Sequence, residues 1–89
     1  MRRLSAFFSG RVQGVGFRYT VERLARRAPV AGYVRNLRSG EVELVAEGEE
    51  TELQEFLGEI RKAFESDVRD VKIKWGDATG EFQGFGIRF

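Results

Sequence analysis

The chain is 89 residues long, which leaves room for one small hydrophobic core, so residues 1–89 are expected to form a single domain. Hydrophobic residues make up 42% and charged residues 33%, a soluble globular balance that excludes a disordered chain, and no apolar run reaches membrane-spanning length. Fifteen basic and 14 acidic side chains nearly cancel, which removes the footprint of a strongly basic nucleic-acid binder, and the lack of any cysteine or histidine removes disulfides, thiolate chemistry, the usual general base and the Ser-His-Asp triad.

An enzyme built from this chain must therefore work by positioning and electrostatics, or with carboxylates. The basic start Met1-Arg2-Arg3 is followed by too short an apolar segment for a signal peptide. A cysteine-free chain is compatible with a reducing compartment, and the expected setting is the cytoplasm, with neither membrane nor nucleic acid as partner.

In chain order, residues 3–9 alternate loosely and predict a strand with Leu4, Ala6 and Phe8 toward the core; Phe7 on the other face has no evident cover. Gly10-Arg11-Val12-Gln13-Gly14-Val15-Gly16-Phe17-Arg18 then connects this strand to a helix expected over about 18–28. Glycine-rich backbone can turn with φ > 0 and present converging amides to an anion, next to the positive end of the helix. Arg18 falls in the first helical turn, where a cation opposes the helix dipole. An anion held by the loop would reverse that sign, and the planar guanidinium matches phosphate oxygens. The plainer reading is a tight glycine turn beside a surface arginine.

Phe17, Val21, Leu24, Ala25 and Ala28 form one apolar stripe, and Pro29 stops the helix. A second strand is expected over about 31–37, a turn at Arg38-Ser39-Gly40 with Gly40 left-handed, and a third strand over 41–47. Val42, Leu44 and Ala46 point inward there, and Glu41, Glu43 and Glu47 outward. Glu49, Glu50 and Glu52 open a second helix in the sense the dipole favours, so this acidic cluster reads as helix initiation rather than a metal site. Leu53, Phe56, Leu57, Ile60 and Phe64 form its apolar stripe. A fourth strand over 68–75 is expected to turn Val71, Ile73 and Trp75 inward, and a short last strand to turn Phe85, Ile87 and Phe89 inward.

The order β-α-β-β-α-β plus a terminal strand predicts an α+β ferredoxin-like sandwich: two helices on one face of an antiparallel sheet, with the place of the last strand open. In that topology Asn36, near the end of the second strand, can lie beside the Gly10–Arg18 loop. An asparagine near a turn ordinarily caps local backbone. Beside a phosphate loop, its amide could hold a water instead.

These residues resemble the acylphosphatase family over essentially the whole chain. The resemblance rests on the stretch from Gly10 to Arg18, on Gly32-Tyr33-Val34-Arg35-Asn36-Leu37 with Gly40-Glu41-Val42-Glu43 and Ala46-Glu47-Gly48, and on Gly80-Glu81-Phe82-Gln83-Gly84-Phe85 with Ile87. It implies hydrolysis of acyl phosphates to carboxylate and inorganic phosphate, without metal or organic cofactor. The implied phosphate-binding residues are Arg11, Val12, Gln13, Gly14, Val15, Gly16, Phe17 and Arg18; Arg18 and Asn36 are the implied catalytic pair, with Asn36 orienting water. The implied partners are a small acyl phosphate, and phosphate as product and inhibitor, acting on a monomer. Pro29 stands where many relatives have glycine, Tyr33 where many have tryptophan, and Leu37 leaves no hydroxyl after Asn36. The alternative is a non-catalytic binding or regulatory module of the same fold, sensing RNA or acyl phosphates. The outward glutamates of the third strand and the near-neutral charge disfavour RNA.

Overall fold

In the computed structural model, which describes all 89 residues, the chain runs β1 (Arg2–Gly10), α1 (Phe17–Ala25), β2 (Ala31–Asn36), β3 (Val42–Gly48), α2 (Glu50–Ala63), β4 (Val68–Asp77) and β5 (Phe85–Arg88). The sheet order is β4-β1-β3-β2-β5. Each helix thus joins two strands that are separated by a third, as the ferredoxin-like sandwich requires. No helix is long and apolar enough to cross a membrane.

The antiparallel expectation needs one correction. β1 pairs antiparallel with β3 and β4, and β2 pairs antiparallel with β3, but β5 joins β2 in parallel, with Gly32 opposite Phe85 and Val34 opposite Ile87. The sheet is mixed. Parallel pairing needs a long connection, and the whole of residues 37–84 lies between these two strands.

Alternation on the inner strands works as expected. Leu4, Ala6 and Phe8 face Ala46, Leu44 and Val42 across the ladder, and all six are fully buried. Phe17, Val21 and Ala25 of α1 and Leu53, Phe56, Leu57 and Ile60 of α2, with Phe64 just past its end, close over them. Phe8 and Phe17 lie 5.1 Å apart and Phe17 and Phe64 4.6 Å apart between ring centroids, so one aromatic row ties β1 to both helices.

Four expectations are corrected at the margins. α1 ends at Ala25, three residues early. Arg27 and Ala28 donate to Leu24 and Ala25 at 3.1 and 3.2 Å, so the last turn tightens to i→i+3 bonds before Pro29, whose ring excludes the helical conformation at Ala28. Ile73 and Trp75 share the helix-side face with Ala6 and Leu4, yet they remain 37% and 36% exposed. β4 is an edge strand: Val68 and Val71 at its start pack against the core, but α1 lies on β2 and β5 and α2 on β3, so Ile73 and Trp75 farther along are left half-exposed. Phe89 lies beyond β5 and is 93% exposed rather than inward-facing.

Glu47 is the fourth. It does point away from the helices, but it is only 5% exposed, because residues 79–81 fold across that face. Its Oε2 accepts from Arg3 Nε at 2.8 Å, Thr79 N–H at 2.8 Å and the Thr79 hydroxyl at 3.0 Å, and Oε1 accepts from Gly80 N–H at 3.0 Å. Beside this cluster Tyr33 packs edge-on against Phe82 with Arg88 above its ring, so the C-terminal loop is stitched to the sheet's second face. Phe7 sits on the same face between Glu43 and Lys72, half-buried.

Candidate active site

The β1–α1 loop starts at a fixed point. Gly10 approaches the turn before β4 so closely that a Cβ there would lie 2.4 Å from the Asp67 carbonyl oxygen. The next amide, that of Arg11, donates to the same carbonyl at 2.8 Å, and the Arg11 guanidinium lies 3.5 Å from the Asp67 carboxylate. Arg11 therefore belongs to the anchor of the loop. Its backbone donor is spent and its side chain points toward Asp67, which separates it from the other residues implied as phosphate binders.

From Val12 onward the loop bends over the end of β2. Val12 is buried, and the Gln13 amide donates to the carbonyls of Leu37 and Glu41 at 2.8 and 3.0 Å. Gln13 thus pins the loop to the β2–β3 hairpin, whose turn closes through Leu37 N–H to Glu41 O at 2.8 Å and carries Gly40 with φ 96°. Gly14 and Gly16 both have φ near +78°, a left-handed conformation in which a Cβ is strained. Gly16 is the cap of α1 in that conformation, and Phe17 plugs into the core immediately after it.

The amides this leaves are the notable feature. None of the backbone N–H groups from Val12 through Tyr19 donates to another backbone group. α1 has no side-chain cap and no acidic residue in its first turn, in contrast to α2, which opens with Glu50 and Glu52. The positive end of α1 is thus uncompensated, and Arg18 adds a further positive charge to it. Arg18 makes no ion pair; its guanidinium stands 4.8 Å from the Phe89 ring centroid.

Asn36 closes the other side. It ends β2 opposite Val42, and its Oδ1 is buried without any hydrogen-bond partner in the protein. Buried polar atoms are rarely left unpaired, and those that are call for an explanation. Val12, Gly14, Gly16, Phe17, Arg18, Tyr19 and Asn36 line one cavity of about 110 Å³. The fold therefore brings Arg18, Asn36 and the glycine backbone together, as the sequence motifs require. Gln13 stands behind the loop and Val15 between its two left-handed glycines. Tyr19, a lining residue that sequence reasoning passed over, carried no signal beyond its place next to Arg18.

Such a cavity suits a small anion: bare amides, a helix N-terminus and a guanidinium on one side, and a neutral amide on the other. Two larger hollows lie elsewhere, around the α2–β4 turn, where the cations Arg61, Lys62 and Arg69 are interspersed with Glu65, Asp67 and Asp70.

Residues 4–87 match the family model described as acylphosphatase. The chain is 42% identical over 88 residues to the acylphosphatase of Salinibacter ruber, covering 98% of this chain and 93% of that protein. It is 46% identical over 81 residues to the acylphosphatase of Bacillus licheniformis, covering 90% of each. Its fold superposes on the crystal structure of acylphosphatase from Bacillus subtilis with a TM-score of 0.92 and 36% identity, over the whole of both chains. With the family model spanning nearly all of it and relatives this similar along their whole length, the chain belongs to the acylphosphatase family.

Proposed function

We propose that the chain hydrolyses the carboxyl–phosphate bond of small acyl phosphates by water attack, with the backbone of residues 12–17 and Arg18 holding the phosphate and Asn36 orienting the water. The observation that carries this reading is Asn36, which lines a cavity shared with Arg18 and a bare helix start and whose buried Oδ1 has no protein partner. A water held by the Asn36 amide is turned with a lone pair toward phosphorus. Attack on phosphorus forms the new P–O bond while the bond to the acyl oxygen breaks, and the electron pair leaves as a stable carboxylate. The water's proton passes to a phosphate oxygen. No general acid is needed for so good a leaving group, so a site without histidine suffices. Positioning and charge stabilisation of a loose phosphoryl-transfer state do the rest. On this reading the working unit is the whole of residues 1–89 as one domain, a monomer in the cytoplasm.

The test is steady-state hydrolysis of benzoyl phosphate with chelator present, by wild type, Arg18→Ala and Asn36→Ala. Arg18→Ala should raise KM and lower kcat, with kcat/KM down by about 10³ or more. Asn36→Ala should lower kcat by about 10²-fold with little change in KM, because it orients water rather than binding phosphate. Inorganic phosphate should inhibit wild type competitively. An inactive, folded wild type, or an Asn36→Ala enzyme as fast as wild type, would defeat this reading.

A further inference from the structure

Two arms of the chain meet at the cavity, and each has its own support. The phosphate side is the β1–α1 loop, fixed at its start by the bond from the Arg11 amide to the Asp67 carbonyl. The other side is Asn36, at the end of β2 on the β2–β3 hairpin. The ladder that joins β1 to β3 ends at the Phe8–Val42 pair, and no backbone hydrogen bond links residues 11–18 to residues 36–42. Past that pair, the one polar tie between the arms is the Gln13 side chain. Its Nε2 donates to the Leu37 carbonyl at 2.8 Å and to the Glu41 carbonyl at 3.0 Å. Both hydrogens of that nitrogen are thus spent on the neck of the hairpin, and Leu37 directly follows Asn36.

We propose that Gln13 is a positioning residue: its side chain sets the distance and angle between the phosphate on the loop and the water on Asn36, without touching either. This rests on the phosphate and water roles given above. The loop alone suffices to bind phosphate, whereas attack needs both arms in register, and a misplacement of about 1 Å costs about 10²-fold in rate. Val12 and Phe17 seat the loop in the core on either side of the cradle. Loss of the Gln13 bonds therefore loosens the register of the two arms while the loop keeps its place.

The experiment measures kcat, and the inhibition constant of inorganic phosphate, for benzoyl phosphate hydrolysis by wild type, Gln13→Ala, Gln13→Met, Asn36→Ala and the Gln13→Met/Asn36→Ala double variant. Gln13→Met fills the same space without a donor, and a thermal melt checks that each variant folds. Both Gln13 variants should lower kcat by about 10- to 100-fold. Their phosphate inhibition constants should stay within about threefold of wild type, because binding and register are separate. In the Asn36→Ala background Gln13→Met should cost less than about threefold, since no positioned water is left to misplace. Suppose wild type turns over and Asn36→Ala is slow. The positioning role alone is then overturned if folded Gln13→Met keeps the wild-type kcat, weakens phosphate inhibition as much as rate, or costs as much without Asn36 as with it. If neither Gln13 variant folds, Gln13 holds the fold rather than the register, and the role is overturned too. If wild type hydrolyses nothing, the reading of the site falls and this role with it.

Discussion

Burial pushes the pKa of the Glu47 carboxyl up, but donation from the Thr79 amide, Arg3, the Gly80 amide and the Thr79 hydroxyl outweighs it and holds the value at about 2, against an ordinary 4.5. A carboxyl depressed in the folded state stabilises the fold above its unfolded pKa, and that stabilisation is lost as the pH falls through the folded value. Stability should therefore decline between about pH 4.5 and pH 2, with Glu81, also held low by the Thr79 hydroxyl and Arg3, titrating in the same sense. Glu47→Gln should unfold at a lower urea concentration at pH 7, by about 2 kcal/mol, and lose much of the acid dependence in this window. Urea titrations at several pH values would show it, and an unchanged acid slope would remove Glu47 as its source. Glu47 was hidden in the sequence because period-two alternation reports which face a residue takes and not what later covers that face. Arg18 draws attention for the opposite reason, as a cation at a helix start whose sign an anion would reverse, whereas Asn36 near a turn looks ordinary until its place beside the loop is known.

At the scale of elements, the β1–α1 loop is rigid at its ends and open in its middle. Gly10 and Gln13 tie it to the α2–β4 turn and the β2–β3 hairpin, while a Cβ on Gly16 would meet nothing within 4 Å. Gly16→Ala should thus fold, at a cost of about 1 kcal/mol for a left-handed alanine, a fall in Tm of about 4–8 °C. Phosphate should bind it more weakly, because relaxing that strain swings the first amides of α1 out of line. A thermal melt with and without phosphate separates the two effects; unaltered phosphate affinity would mean that the amides after Gly16 do not touch the anion. Both helices and all five strands, the short last one included, were legible from periodicity and glycine turns. The misses sit where periodicity carries no information: the tightening of α1 before Pro29, and the exposure of Ile73 and Trp75 on β4, whose pattern is that of a covered strand although it lies at the sheet edge.

For the whole molecule, composition alone makes a prediction. No imidazole exists in the chain, so the rate should show no enzyme transition near pH 6.5. Any inflection there should coincide with the separately titrated phosphate of the substrate, and one that does not coincide would require a displaced carboxyl or amine in the site. Topology was legible up to β4. The place of β5 was not, because a four-residue strand carries too little pattern to choose between two open edges. The sheet order bears also on how the chain comes into being. β1 is made first, yet it is an inner strand, and its Arg2 lies opposite Asp77 on one side and Gly48 on the other. At ribosomal speeds of about 5–20 residues per second, Leu4, Phe7 and Phe8 wait roughly 4–15 s for their last neighbour to be synthesised. The β1–α1 loop is anchored on Asp67, so it too is fixed only after that residue is made, and a chain cut short before Asp67 holds Arg18, Asn36 and the loop glycines without their anchor.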